Sequence, residues 1–258
     1  MIRLVLALLL LAAPVAAPVA AQVPEKIVAG LSQNRVSITA NFDGSEILIY
    51  GAVKRDEPAP TTSRLEMIIT VQGPALPLVI RRKERLAGIW LNTASVNIDA
   101  APSFYAVTST GPLTEILAST DDLRHSITIP RAIRAVGIAA EAENAPDFVD
   151  ALLRIRQKED RYRVDEGRVQ LVEQTLFRTD VVLPANLTEG NYRVRIFLLR
   201  QGHVVDTQER IIGVRKAGLE QFLFNLAHER PFIYGVISLL MAAVAGWAAS
   251  AGFRYLKR

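Results

Sequence analysis

The chain of 258 residues contains no cysteine. That absence removes disulfides, thiolate metal sites, iron–sulfur clusters and cysteine nucleophiles together. It is physically tolerable, because a body of about 200 residues buries enough apolar surface to fold without covalent staples. Histidine is nearly as scarce, with His125, His203 and His228 the whole supply, and neither His203 nor His228 has a second ligand at metal spacing. No Gly-x-Ser-x-Gly, phosphate loop, His-Glu-x-x-His or dinucleotide fingerprint occurs. The sequence therefore offers no positive sign of an enzyme, and it assigns no catalytic, metal or cofactor-binding residue.

An excess of charge is missing as well. The 30 Lys and Arg against 26 Asp and Glu look mildly basic. Four of the basic residues (Arg3, Arg254, Lys257 and Arg258) lie in the terminal segments, beyond the stretch from Glu25 to Arg230 that holds every acidic residue. The remainder is 26 of each sign, a net charge of zero, without the basic surplus that phosphate backbones demand. Nucleic acid is excluded as a partner on that ground.

Charged side chains vanish altogether from Phe232 to Phe253, 22 residues in a row. At about 1.5 Å per residue such a helix covers about 33 Å, enough for a hydrocarbon core of about 30 Å. Residues 232–253 are thus predicted to span a membrane once, with 254–258 as a tail. Arg254, Lys257 and Arg258 follow the span, while His228-Glu229-Arg230 before it carries little net charge, so the positive-inside rule places the C-terminus in the cytoplasm. Within the span Ala242, Gly246 and Ser250 recur every four residues, a smooth row along which a partner helix can pack.

At the other end, Met1-Ile2-Arg3, the apolar run Leu4 to Leu11 and Val19-Ala20-Ala21 before Gln22 read as a signal peptide over residues 1–21. The alternative is an uncleaved first membrane helix, against which Pro14 and Pro18 argue. Either way the middle of the chain is exported. Together with the missing cysteines this fits a bacterial inner-membrane protein with its bulk in the periplasm.

The exported chain opens with strands. Val36, Ile38 and Ala40 alternate with polar residues, Phe42-Asp43-Gly44-Ser45 turns the chain, and Glu46 to Val53 is rich in β-branched and aromatic types. Further runs at Leu65–Gln72, Pro77–Arg85, Gly88–Ile98 and Pro102–Ser109 extend the series through residues 22–111, with Trp90 expected in the core. Residues 112–166 change period. Leu113–Ala118, Arg131–Val136 and Pro146–Arg161 show helical spacing, as in Phe148, Leu152 and Ile155. Strands resume over 167–216, where Leu187-x-x-Gly190-x-Tyr192 precedes an alternating run. A tyrosine in that position closes the corner of an immunoglobulin-like sandwich by bonding to the upstream backbone. The expected fold is thus mainly β: an immunoglobulin-like β-sandwich with a helical insertion, or two β modules with a helical layer between them. Residues 217–231 form a juxtamembrane amphipathic helix on this reading.

Two segments could carry chemistry. Asp121-Asp122-Leu-Arg-His125 brings carboxylates and an imidazole close in sequence, with Asp122 and His125 as the candidate ligand contacts or acid-base pair. Its plain alternative is a polar loop. Arg81-Arg82-Lys83-Glu84-Arg85 offers Arg81, Arg82 and Arg85 to an anion, against a solvated strand end.

The exported leader, Ile47-Leu-Ile-Tyr-Gly-Ala52 after Phe42-Asp-Gly44, Leu187-x-x-Gly-x-Tyr192 and the Ala/Gly-rich C-terminal span resemble the alphaproteobacterial transmembrane protein family of the Alph_Pro_TM type, over nearly the whole chain. The resemblance implies an inner-membrane address and transfers no catalytic residues. It points to an exporter-like permease as the membrane-protein partner. The leading functional expectation is a noncatalytic interaction or accessory module for a membrane protein. A ligand-binding or hydrolytic domain is the alternative.

Overall fold

The computed structural model describes residues 25–39, 41–56, 58, 63–134, 145–216 and 226–256. The leader and residues 217–225 of the expected juxtamembrane helix lie outside them.

Alternating burial along the strands assembles two sheets face to face. One is antiparallel, in the order β1 (Lys26–Leu31), β3 (Ser45–Lys54), β10 (Leu176–Leu183), β9 (Gln170–Val172). The other has six strands in the order β2 (Arg35–Ile38), β12 (His203–Lys216), β11 (Gly190–Arg200), β4 (Leu65–Gln72), β7 (Tyr105–Ser109), β8 (Tyr162–Asp165). Its four inner strands are antiparallel, and β2 and β8 join its edges in parallel. Both sheets draw strands from before and after the helical segment, so the strands build one sandwich. Residues 112–166 also contribute a strand, β8, beyond the helices expected there.

Period two decides which side chains meet. Ile47, Ile49 and Val53 of β3 and Phe177, Val181 and Leu183 of β10 pack against Met67, Ile69 and Val71 of β4 and Tyr192, Val194, Ile196 and Leu198 of β11. The six-stranded sheet is covered on its other face too. There Ile68, Tyr105, Val107, Phe197 and Leu199 form a second core with the hairpin β5 (Ala75–Leu86) and β6 (Ile89–Pro102) and with the helices. The helices on this side are α1 (Leu113–Ile116), α2 (Ser119–His125), α3 (Ile129–Ala132) and α4 (Ala145–Lys158), of which α2 adds no apolar side chain to this core. A sheet buried on both faces explains the nearly unbroken apolar run Ile196-Phe-Leu-Leu199.

Two glycines are dictated by this packing. A Cβ on Gly51 would lie 2.8 Å from Ala29 Cα and 2.7 Å from the Phe177 ring, and would strike the Val28 carbonyl oxygen. Gly190 holds φ +152°, with Pro74 Cγ 2.8 Å from where a Cβ would stand. Beside it the Tyr192 hydroxyl donates to the Thr188 carbonyl oxygen at 3.0 Å, the backward bond expected of that motif.

Three expectations are corrected. Trp90 is not in the core: it is 67% exposed near the hairpin tip, where β6 has not yet reached its buried positions Val96 and Ile98. The Asp121–His125 segment is not a loop but most of α2, and the helix is fixed from outside, its first turn through Ala118 N–H to the Gly202 carbonyl. In α4, Phe148 and Leu152 are buried as spaced, but Ile155 is half-exposed because the helix has run past the core.

The C-terminal helix α5 (Pro231–Leu256) contains a stretch, Pro231–Ser250, with a mean hydropathy of 1.9 and none of it buried against the rest of the chain. It is long and apolar enough to cross a membrane. Phe232, Leu239, Met241 and Trp247 stand fully in the open, as side chains do that face lipid.

Candidate functional site

On β11 the residues facing away from the sandwich core read Arg193, Arg195, Phe197, Leu199. The last two enter the second core, and the first two are left where the sheet emerges from under the helices. Arg195 is a hub. It donates from Nη1 to the His125 carbonyl at 2.6 Å, and from Nη2 to the Ser126 carbonyl at 2.9 Å and the Tyr105 hydroxyl at 3.0 Å. Its guanidinium stacks 5.2 Å from the Phe197 ring centroid. A cation on the last carbonyls of α2 is favourable against the helix dipole. Tyr105 passes its own hydroxyl hydrogen to the Ile127 carbonyl at 2.9 Å, and burial pushes its phenol above the ordinary range.

Around this hub lies a cavity of about 480 Å³ lined by Gln72, His125, Ser126, Arg131, Ala132, Ile133, Arg134, Arg193 and Arg195. Among the described residues, four guanidinium groups line it and no carboxylate does. Glu209 pairs with Arg193 at 2.9 Å from outside the lining. Such a cavity favours an anion electrostatically and offers planar donors to its oxygens.

The expected site residues are distributed differently. Asp122 and His125 share α2 but form no pair. Asp122 Oδ1 accepts from Ile127 N–H at 3.1 Å and Thr128 N–H at 2.8 Å, and its Oδ2 from the Thr128 hydroxyl at 2.8 Å, so it shapes the turn into α3. The His125 ring lies edge-on to Phe197 with centroids 5.6 Å apart, and the residue lines the cavity. His203 is an imidazole that does meet a carboxylate, its Nδ1 2.8 Å from Asp121 Oδ2. The hydrogen bond from His203 outweighs burial and holds Asp121 below the usual carboxylate range. The pair ties the β11–β12 turn to α2, across 82 residues of sequence. Among the described residues no group of three or more His, Cys, Asp or Glu could hold a metal ion.

Arg81, Arg82 and Arg85 lie on the outer part of β5, away from the cavity. Arg82 pairs with Glu84 at 3.0 Å and sits over the Phe148 ring of α4, while Arg85 Nε reaches the Gly88 carbonyl at 3.4 Å. Ala242, Gly246 and Ser250 are exposed along α5. The cavity arginines escaped the sequence reading, although two signals were present. Arg193 and Arg195 break the apolar face of β11 two residues apart, and Arg131-x-x-Arg134 repeats at a helical interval.

A second cavity of about 490 Å³ lies over the outer face of the four-stranded sheet, lined by Val28, Tyr50, Val172, Leu176 and their neighbours. These four side chains are about half-exposed although all are apolar or aromatic.

None of the curated proteins compared with the chain matches it. A family model described as "Putative transmembrane protein (Alph_Pro_TM)" matches residues 26–255, from the first strand of the sandwich to the end of the apolar helix. The match takes in both the sheets and the apolar helix, and the chain belongs to the Alph_Pro_TM transmembrane protein family.

Proposed function

We propose that the chain is a single-pass inner-membrane protein whose periplasmic body is a noncatalytic accessory module for another membrane protein. The body is immunoglobulin-like on this reading. Set aside the β5–β6 hairpin and the helices, and the sheet β1-β3-β10-β9 corresponds to strands A, B, E and D, with β12-β11-β4 as G, F and C. The Tyr192 to Thr188 bond supports the same class. Orientation rests on Arg254, Lys257 and Arg258, and a reporter fused after Arg258 is expected to be active in the cytoplasm.

One observation carries the accessory role: the outer face of the four-stranded sheet leaves Val28 56%, Tyr50 47%, Val172 55% and Leu176 57% exposed around one cavity. A continuous apolar patch of this kind is what a partner surface covers. The small row Ala242, Gly246, Ser250 gives the span a matching approach to a partner helix. Photocrosslinking residues placed at positions 28, 50 and 176 in native membranes test the reading. One membrane protein should be captured at all three positions, and its capture at 28 and 50 should be lost in Leu176→Asp; an exporter-like permease is the class the family resemblance points to. No shared adduct would refute it.

A ligand-binding reading is favoured separately by the arginine-lined cavity. Titration with inorganic sulfate and phosphate should show binding that Arg131→Gln with Arg134→Gln weakens by about tenfold or more, since each removes a charge-assisted contact. Binding unchanged in that variant would dismiss the cavity.

A further inference from the structure

The β5–β6 hairpin is longer than its packing requires. Its register runs from Ala75 opposite Pro102 to Leu86 opposite Ile89, closed by Ala87 and Gly88, both at positive φ. Among the described residues its inner half is held, through Val96 and Ile98 against the second core with Leu78, Ile80 and Ala94, and through Arg82 over the Phe148 ring. The remainder stands in solvent and ends in four large apolar side chains: Leu86, Ile89, Trp90 and Leu91, each 43% to 67% exposed. Behind this tip the strand carries Arg81, Lys83 and Arg85 on one face, with Trp90 opposite Arg85. The tip itself bears no acidic side chain, and Glu84 is paired with Arg82.

Apolar end, tryptophan, then a collar of cations is the composition that settles at a membrane interface. The apolar residues enter the acyl boundary, and long basic side chains stay with the phosphates. Topology puts such a surface within reach. Pro74, one residue before β5, packs on Gly190, and Gly190 pairs with Val214, two residues before β12 ends at Lys216. Hairpin and membrane tether therefore leave the sandwich at the same end. Between Lys216 and Pro231 lie 14 residues, of which 226–229 are helical, a reach of up to about 40 Å, and 12 residues of β5 measure about 40 Å. The two arms are commensurate.

We infer that the β5–β6 tip is a second membrane contact, in which Leu86, Ile89, Trp90 and Leu91 enter the bilayer that holds α5, and Arg81, Lys83 and Arg85 bind its anionic headgroups. The contact is with lipid, and it fixes the standing of the body over the membrane.

Trp90 is a built-in reporter, because Trp247 of α5 is the only other tryptophan. The full membrane-anchored chain carrying Trp247→Phe is placed in nanodiscs of phosphatidylethanolamine with phosphatidylglycerol, with and without acyl-chain-brominated lipid. Trp90 emission should shift to the blue relative to detergent, and brominated lipid should quench it. Arg81→Gln/Lys83→Gln/Arg85→Gln, three exposed changes that leave the core intact, should cut the quenched fraction severalfold at low salt. Leu86→Asp/Ile89→Asp should abolish quenching with the melting temperature unchanged. Trp90 that stays unquenched in nanodiscs overturns the inference.

Discussion

Glu25 stands at the start of β1 and is almost wholly buried, its side chain 3% exposed. Arg200, at the end of β11 in the opposite sheet, grips it with two bonds, Nε to Oε2 at 2.6 Å and Nη2 to Oε1 at 2.7 Å. Arg55, just after β3, donates to the same carboxylate and to the Gln174 carbonyl, and Arg200 Nη1 also reaches the Ser63 carbonyl at 2.6 Å. One carboxylate thus ties together both sheets and two loops at the edge of the sandwich. Burial alone would raise the Glu25 pKa. The hydrogen bonds and charges of Arg200 and Arg55 outweigh it and hold the carboxyl below its usual range.

The perturbation is Glu25→Gln, which keeps the shape and leaves two guanidinium groups, 9% and 11% exposed, facing each other without a counter-charge. Removing one member of a buried ion group costs about 3–5 kcal/mol, most of it the stranded charge. For a body of this size each kcal/mol moves the melting temperature by about 2–4 °C, so a fall of roughly 6–20 °C is expected. Replacing Glu25, Arg55 and Arg200 together by methionine should recover most of the loss, because no charge is then stranded. The pH dependence has a definite sign. With a folded pKa below the unfolded one, the Glu25 contribution is complete above the ordinary carboxylate range and is lost as pH falls through the folded value. Urea unfolding at neutral and acidic pH measures this, and wild type should lose more on acidification than Glu25→Gln does. A loss under about 1 kcal/mol for Glu25→Gln, or equal acid sensitivity of the two proteins, would show that the cluster is a screened surface pair.

Further outcomes follow from single contacts. Gly51→Ala forces a methyl into the β1 backbone and the Phe177 ring, and should cost at least the 1–3 kcal/mol of an overpacked core, read as loss of soluble folded body or of cooperative melting. Tyr192→Phe removes the bond to the Thr188 carbonyl and should cost about 1–2 kcal/mol in urea unfolding, with the circular dichroism spectrum unchanged. Asp121→Asn weakens the tie to His203. Because that imidazole is 67% exposed the cost should stay below about 1 kcal/mol, and the part due to Asp121 ionisation disappears as pH falls through its lowered pKa.

The elements were legible where local chemistry sufficed. Alternation marked the strands around Ile47 and Val194, the 22 uncharged residues marked α5, and the motif ending in Tyr192 was readable because its glycine and hydroxyl act within four residues. What stayed hidden depends on distant partners. Helix α2 has one large apolar residue, Leu123, and that one is 62% exposed, so no periodicity announces it. It is held by the Gly202 carbonyl at one end and Arg195 at the other. The pairing of Asp121 with His203 was hidden for the same reason. Trp90 was misread because size suggested a core residue, whereas cross-strand register sets it opposite Arg85 on the solvent side.

The three features left outside the core share one end of the molecule. Gln72 closes β4 there, Arg193 and Arg195 open β11, and both line the basic cavity. The hairpin begins two residues after Gly73, and the tether leaves β12 beside Gly190. The outer face of the six-stranded sheet changes from Phe197 and Leu199 to Arg195 and Arg193 within one turn of the pleat, toward that same end. A sheet that served stability alone would gain by continuing the apolar face under a longer helical cover. Ending it in arginines instead leaves a cationic opening beside the root of the β5–β6 hairpin and the C-terminal end of β12. Cavity and hairpin are therefore expected to respond together: shortening β5–β6 by removing residues 83–92 should alter anion binding in the cavity if the tip positions that end at the membrane, and should leave it untouched if the two act alone.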